Sequence, residues 1–239
     1  MTRARVVALG MVLSVLVGAT PTLAEQQLYT YSIMHPIYGQ IGTLTNTINR
    51  DPEGMQIDAR LRIAVEFLGI VLYHQETDIT EIMRGNRLVS LQSVINKDGR
   101  HSDVHGETQG DQFVVKATAG SSVGPASIFP SDPWVLNRAG EATVVYPDTG
   151  RIITLVISGG EYGAVSLNGA SMSARHFIVM GDKRQEVWLD NQGVPIMFRS
   201  VEDGTPIDFV LQTTGATLGI SPVADFEPLA SARPRMASK

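Results

Sequence analysis

"IDARLRIAVEF", Ile57 to Phe67, sets Ile57, Ala59, Leu61, Ile63, Val65 and Phe67 on one side of an extended chain and Asp58, Arg60, Arg62 and Glu66 on the other. Successive side chains of a strand point to opposite faces, so the spacing predicts a strand with one dry face and one wet face. The same period of two, not 3.6, recurs outward from this stretch. Strands are expected at Leu28 to Met34, Gln40 to Asn49, Ile70 to Met83, Arg87 to Asn96, Gln112 to Ala117, Ala142 to Tyr146, Ile152 to Ser158 and Met172 to Met180. Turn signals separate them: Pro52-Glu53-Gly54, Arg84-Gly85-Asn86, Lys97-Asp98-Gly99 and Pro147-Asp148-Thr149-Gly150. Short connections of this kind join sequential antiparallel hairpins.

The stretch from Val187 to Leu211 continues the pattern. Glu186 to Asp190 reads as a strand, Asp190 to Gly193 as its turn, Val194 to Val201 as the next strand, Asp203-Gly204 as another turn and Ile207 to Leu211 as a third strand. Asp190, Asp203 and Gly204 sit where turns need a capping oxygen or a positive φ, so they read as scaffold, and Trp188 reads as packing on the sheet. Only one segment has helical punctuation. Asp132 can cap, Pro133 suits a first helical position and Gly140 suits the stop, predicting a short helix near 133–139 that plugs one end of the sheet with Trp134. The expected fold is all-β: a single strongly curved antiparallel sheet or open barrel of about ten to thirteen meandering strands with one short plug helix.

The first 24 residues read as a secretory signal peptide. Arg3 and Arg5 lead, Val6 to Val17 is apolar, and Thr22-Leu23-Ala24 ends the segment with a small residue at the cleavage position. The apolar run is shorter than the roughly 20 residues of a membrane span, and Pro21 closes it. Removing these 24 from 239 leaves 215 residues, with no Pro/Gly/Ser linker dividing them. A single domain over 25–220 is expected, followed by a Pro-, Ala- and Ser-rich tail over 221–239 that reads as disordered. Without Arg3 and Arg5 the chain carries 17 basic and 24 acidic side chains, a net charge of −7, and no basic cluster, which argues against a nucleic-acid partner. Cysteine is absent, so the fold uses no disulfide and cannot carry the cysteine-linked lipid anchor of bacterial lipoproteins. The expected location is the periplasm or the cell exterior, with no transmembrane anchor after processing.

Three stretches invite a chemical reading. "GSSVG", Gly120 to Gly124, fits the G-x-S-x-G nucleophile elbow, but that device exposes its serine between a strand and a helix. Pro125, Pro130 and Pro133 crowd the place where the helix belongs, so Ser122 reads as part of a Gly/Ser loop. In "HSDVHGE" an extended chain would put His101, Asp103, His105 and Glu107 on one side, a permissive metal geometry that a solvated strand face explains equally well. His35, His74 and His176 are scattered. No catalytic residue, cofactor or metal is expected. The third stretch is Phe67 to Tyr73, apolar on both faces at what reads as a hairpin tip, where wet and polar residues are normal. Phe67, Leu68, Ile70 and Leu72, with Trp134, are the candidate contacts for an apolar ligand or a partner; cover of the tip by the Trp134 plug is the plain alternative.

The segments "YTYSIMHPIYGQIGT", "GIVLYHQETDITEIMRGNRLVSLQSVINKDG", "PSDPW" and "VWLDNQGVPIMFRS" with "DGTPIDFVL" together resemble an uncharacterised family of exported bacterial β-rich proteins. The likeness spans almost all of the chain after the leader and includes no catalytic signature. More distantly it resembles the open half-barrels of lipoprotein carriers, which implies a concave sheet able to hold acyl chains. The expected function is non-catalytic: holding a lipid or other apolar small molecule, or an envelope protein, in or at the rim of the curved sheet. An assembly protein docking envelope partners through a sheet edge is the alternative, with a hydrolase behind it. If the leader is read correctly, N-terminal sequencing of the exported protein finds Glu25 first; an intact Met1 in the membrane fraction would reverse the assignment.

Overall fold

The computed structural model describes residues 25–218 except Asn168 and Asp203; the leader, the 221–239 tail and Asp203 of the expected turn lie outside the described residues. Fifteen strands form one sheet: β1 (Glu25–His35), β2 (Gly39–Asp51), β3 (Gly54–Phe67), β4 (Ile70–Arg84), β5 (Arg87–Lys97), β6 (Arg100–Gln109), β7 (Gln112–Ala117), β8 (Gly120–Pro125), β9 (Phe129–Pro130), β10 (Gly140–Val145), β11 (Ile152–Leu167), β12 (Ala170–Met180), β13 (Arg184–Leu189), β14 (Pro195–Glu202) and β15 (Thr205–Leu218). Their order in space is 8-7-6-5-4-3-2-1-15-14-13-12-11-10-9. Every neighbour is antiparallel except the short β9–β10 pair. Two meanders are thus joined through their outermost strands, β1 against β15, with Tyr29 opposite Thr214 and Ile33 opposite Phe209.

The alternation in Ile57 to Val65 is the inside–outside pattern of a rolled wall. Ile57, Ala59 and Val65 are buried, while Arg60 and Glu66 are exposed. Tyr31 and Ile33 of β1 are fully buried on the same inner side. Rolling brings the two ends of the sheet together: Met83, Leu88, Leu91, Val104, Phe113 and Val115 from one end share a core with Ile128 and Val145 from the other. Leu88 N–H donates to the Ile128 carbonyl at 3.0 Å, and Ser122 Oγ donates to the Gly150 carbonyl at 2.6 Å.

The sheet has more strands than expected. β6 was visible only as a histidine-bearing strip, because its inner face holds Val104 and Gly106 rather than a run of apolar side chains. Gly106 is small for a reason: a Cβ there would stand 2.6 Å from the Phe113 ring. β8 covers the stretch read as a Gly/Ser loop; it is an edge strand, where Pro125 costs no ladder hydrogen bond.

The plug helix does not form. Asp132 does cap, accepting from Trp134 N–H at 2.8 Å on Oδ1 and from Val135 N–H at 3.1 Å on its carbonyl, but the result is a single turn. Trp134 packs with Tyr29, Tyr31, Ile48 and Ile57, whereas Leu136 packs with Val144, Leu155 and Phe177. Residues two apart do not share a helix face, so a helix could not bury both.

The long β11–β12 hairpin bends at Gly159 and Gly160, both at positive φ, where the ladder shifts register. A Cβ on Gly159 would lie 2.5 Å from the His176 carbonyl oxygen. Beyond the bend Leu167 and Ala174 pack with Ile196 and Met197 of β14 in a separate cluster.

Tyr31 tests the joint between the meanders. Its ring meets Phe198 at 5.4 Å and its hydroxyl donates to the Pro195 carbonyl at 2.7 Å. Tyr31→Phe, which leaves that carbonyl unpartnered, is expected to cost about 1–3 kcal/mol. Tyr31→Ala is expected to cost about 3–5 kcal/mol in urea unfolding, and a loss below 1 kcal/mol would contradict a central role for this contact.

Candidate ligand-binding site

The rolled sheet is longer than its side chains can fill. A cavity of about 640 Å³ remains, walled by Ile41, Leu61, Ile63, Val65, Ile207 and Phe209 and rimmed by His35, Tyr38, Lys97, Lys183, Glu202 and Thr205 at the strand ends. That volume lies within the range of small-molecule sites, roughly 300–1,000 Å³. Lys183 is paired with Glu202 at the rim, and Lys97 Nζ stands 5.3 Å from the centre of the Tyr73 ring.

A deeper recess of about 240 Å³ shares Leu61, Gln75, Ser131, Pro133, Asp148, Phe198 and Phe209 with the larger chamber. Its other walls include Asn46, Ala59, Thr77, Glu81 and Asp132. Register explains the space. Asn46 is opposite Ala59, Ala59 opposite Ile79 and Ile79 opposite Ser93, so one row across the inner face is short in three of four places. The same row and its neighbours are polar: Asn46, Thr77, Glu81 and Ser93 are all buried. Asn46 Oδ1, Glu81 Oε2 and Ser93 Oγ have no hydrogen-bond partner. Unpartnered buried polar atoms are uncommon and costly, so each asks for an explanation.

The acids in this recess are displaced from their ordinary behaviour. Burial, then the Asp132 charge, pushes the Glu81 carboxyl well above the usual range. Burial pushes Asp132 up to about 6, against the opposing donation from Trp134 N–H. Tyr31 is raised in turn, by burial first and then by Asp132, Tyr29 and Asp190. Shifts of this kind gather at functional sites, and also in structural networks of buried charge.

At the other end of the cavity stands the β3–β4 hairpin tip. Leu68 at φ 50° and Gly69 at φ 79° form a two-residue turn with Phe67 paired to Ile70. Positive φ at both positions defines the type I′ turn, which usually takes Asn or Asp first. Leucine there is an outlier, and it is 87% exposed. Phe67, Ile70, Val71 and Leu72 are each more than half exposed, and Leu72 also lines the chamber. Ile37 and Tyr38 of the β1–β2 turn are exposed too. The structure therefore brings Phe67, Leu68, Ile70 and Leu72 together at one tip. Trp134 is not with them: it is buried against Tyr29, ring centres 4.4 Å apart, and leaves the tip uncovered.

The other chemical candidates fall elsewhere. His101, Asp103, His105 and Glu107 are exposed on one face of β6, with His101 Nε2 3.2 Å from Asp103 Oδ1. Ser122 lies on β8, its hydroxyl committed to the Gly150 carbonyl, and a strand and turn follow it rather than a helix. His176 stacks on Trp188 at 4.4 Å and meets Glu186 at 2.8 Å. Asp190 caps its turn through Gln192 N–H and Val194 N–H, both at 2.8 Å. The residues missed in the sequence are Asn46 and Glu81. A signal existed: Asn46 lies between Leu44 and Ile48, and Glu81 between Ile79 and Met83, each a polar residue on an apolar period-two face.

No curated protein matches the chain. Among solved structures it is similar to a crystal structure of a β-barrel-like protein of the domain of unknown function DUF1849 from Brucella abortus. The two are 13% identical with a TM-score of 0.62, over 82% of this chain and 98% of that one, a likeness of fold. The model of the family described as a domain of unknown function, DUF6134, matches residues 39–212. A match over that much of the barrel places the chain in this family of uncharacterised β-rich proteins.

Proposed function

We propose that the protein is a non-catalytic binding protein of the cell envelope that holds an apolar ligand inside its rolled sheet, with the β3–β4 tip at the mouth. The observation that carries this reading is the chamber of about 640 Å³ behind an exposed apolar hairpin. Ile41, Leu61, Ile63, Val65, Ile207 and Phe209 give a hydrocarbon chain apolar contact along part of the chamber, beside polar groups such as Gln75, Gln185 and Arg199. The tip supplies apolar surface where a ligand enters or protrudes. Each large apolar side chain withdrawn from water by such contact contributes roughly 1.5–3 kcal/mol. The leader read in the sequence supports an envelope location, after cleavage following Ala24. A second reading, an envelope protein seated on the tip, draws on the exposure of Leu68, Ile37 and Tyr38, which reach beyond the chamber wall.

Gentle purification followed by native mass spectrometry is expected to show the protein carrying a lipid-sized mass. Leu68→Asp with Leu72→Asp is expected to shift the melting temperature by no more than a few degrees, because both side chains are already more than half exposed, and to abolish retention of that mass. Unfolding of the double variant would make the tip part of the core and remove it from the site. Unchanged retention would likewise remove it. A wild-type protein with no bound mass that loses an envelope protein from its complexes on the same substitutions would favour the second reading.

A further inference from the structure

We infer that the deep recess seats the cationic head group of the ligand, a primary ammonium on an apolar chain that fills the outer chamber. The inference rests on the binding function proposed above and deepens it. Asn46 and Glu81 are both lining residues of the recess, both are 2% exposed, and the buried Asn46 Oδ1 and Glu81 Oε2 have no hydrogen-bond partner. An amide oxygen and an ionised carboxylate oxygen are acceptors; a donor completes them, and one that is also cationic favours the ionised form of the carboxyl. Asp132 adds another carboxylate to the lining, the exposed Asp148 stands where the recess meets the chamber, and among the described residues no lysine, arginine or histidine lines the recess itself. An ammonium is the one common lipid head group with three donors, no acceptor and a compensating charge. A carboxylate or phosphate head would meet these oxygens with repulsion.

Charge accounting agrees with the geometry. In the ligand-free protein burial holds Glu81 and Asp132 toward their protonated forms, and the Asp132 charge adds to the effect at Glu81. The other titratable groups around them are Asp148 on the recess wall and Tyr31, Tyr29 and Asp190 near Asp132. None of these brings a positive charge. A cation entering the recess favours the ionised acids, so binding expels protons. An alkylammonium stays charged to about pH 10, so its affinity rises as pH passes upward through about 6, where Asp132 gives up its proton.

Isothermal titration of the full exported chain with dodecylamine, dodecanol and dodecanoate, each below its aggregation limit at pH 7.5, tests the assignment. Dodecylamine is expected to bind at least about tenfold more tightly than dodecanol, with dodecanoate weakest, and its heat is expected to vary with buffer ionisation enthalpy in the sense of proton release. Glu81→Gln and Asp132→Asn keep the side-chain volumes and replace buried acids by amides; thermal melting verifies that each folds. Each is expected to bring the amine within about threefold of the alcohol. Equal affinity for the three compounds would overturn the head-group assignment and leave the chamber as a binding site. An amine preference that survives in both variants would also overturn it. Failure of all three compounds to bind would overturn the chamber reading with it.

Discussion

The pairing of β1 with β15 is the constraint on which the rest of the molecule depends. Every other ladder between long strands joins neighbours in sequence, and such hairpins close short loops at little entropic cost. β1 and β15 are separated by nearly the whole domain, and their ladder alone turns two meanders into one sheet. Its strength comes from side chains as well as backbone. Tyr29, Tyr31 and Ile33 project inward from β1, where they meet Trp134, Phe198 and Phe209 from three other parts of the chain. Tyr31 adds a hydroxyl tied to the Pro195 carbonyl, so the first strand is bonded to β14 as well as to β15. Contacts so distant in sequence form late and cooperatively, which makes the interior of the roll a property of the complete fold.

A continuous sheet of this width must curl, and the curl here is set by local devices. Register shifts interrupt the ladders at Ile33/Met34, Val65/Glu66 and Ile82/Met83, each adding twist on the β1–β5 side. Gly42 and Gly54 permit the close approach of neighbouring backbone, since a Cβ on either would fall near 2 Å from a carbonyl oxygen of the next strand. The roll ends not in a ladder but in packing, with the β5–β7 face against Ile128 and Val145. Beyond the Leu88–Ile128 backbone hydrogen bond and the Ser122–Gly150 contact no ladder among the described residues spans the seam, and the interior is one that its own residues do not fill. The turn at 132–135 takes up part of the space, and the chamber and recess are what remains.

The two meanders are legible in the sequence because antiparallel hairpins are local: period-two alternation and turn residues suffice for β2 to β5 and for β13 to β15. The joint between first and last strands leaves no such trace, because nothing in the pattern of Tyr29-Thr30-Tyr31 names its partner. β6 and β8 escape notice for another reason. Where Gly106 sits beneath Phe113 and Gly124 beneath Ile152, the inward side chain is replaced by a neighbour's, and the apolar period vanishes although the strand is there. The expected helix fails because its cap and stop residues are also those of an isolated turn; burial of both Trp134 and Leu136 decides between them. The tip was readable as an anomaly in composition. Glu81 was readable in the same way, as a carboxylate on the inner face of β4, but a wet-face slip of one residue would produce the same letter, and only the ladder fixes which side it faces.

The two anomalies lie at opposite ends of one cavity, and together they give it a direction. The apolar tip stands in water, where a hydrocarbon segment lowers its cost; the unpartnered oxygens stand in the core, where a donor lowers theirs. The amphiphile proposed above would satisfy both by entering head first, with its cation toward Glu81 and Asp132 and its chain between Leu61, Ile63 and Phe209 on the way to Leu72. The reverse orientation satisfies neither, because it would bury methyl groups among carboxylates and leave the tip wet. A fold selected for stability alone would place leucine or valine at positions 46 and 81, as it does at the flanking inner positions Leu44, Ile48, Ile79 and Met83. Polar residues held there against that cost are consistent with the head-group seat proposed above.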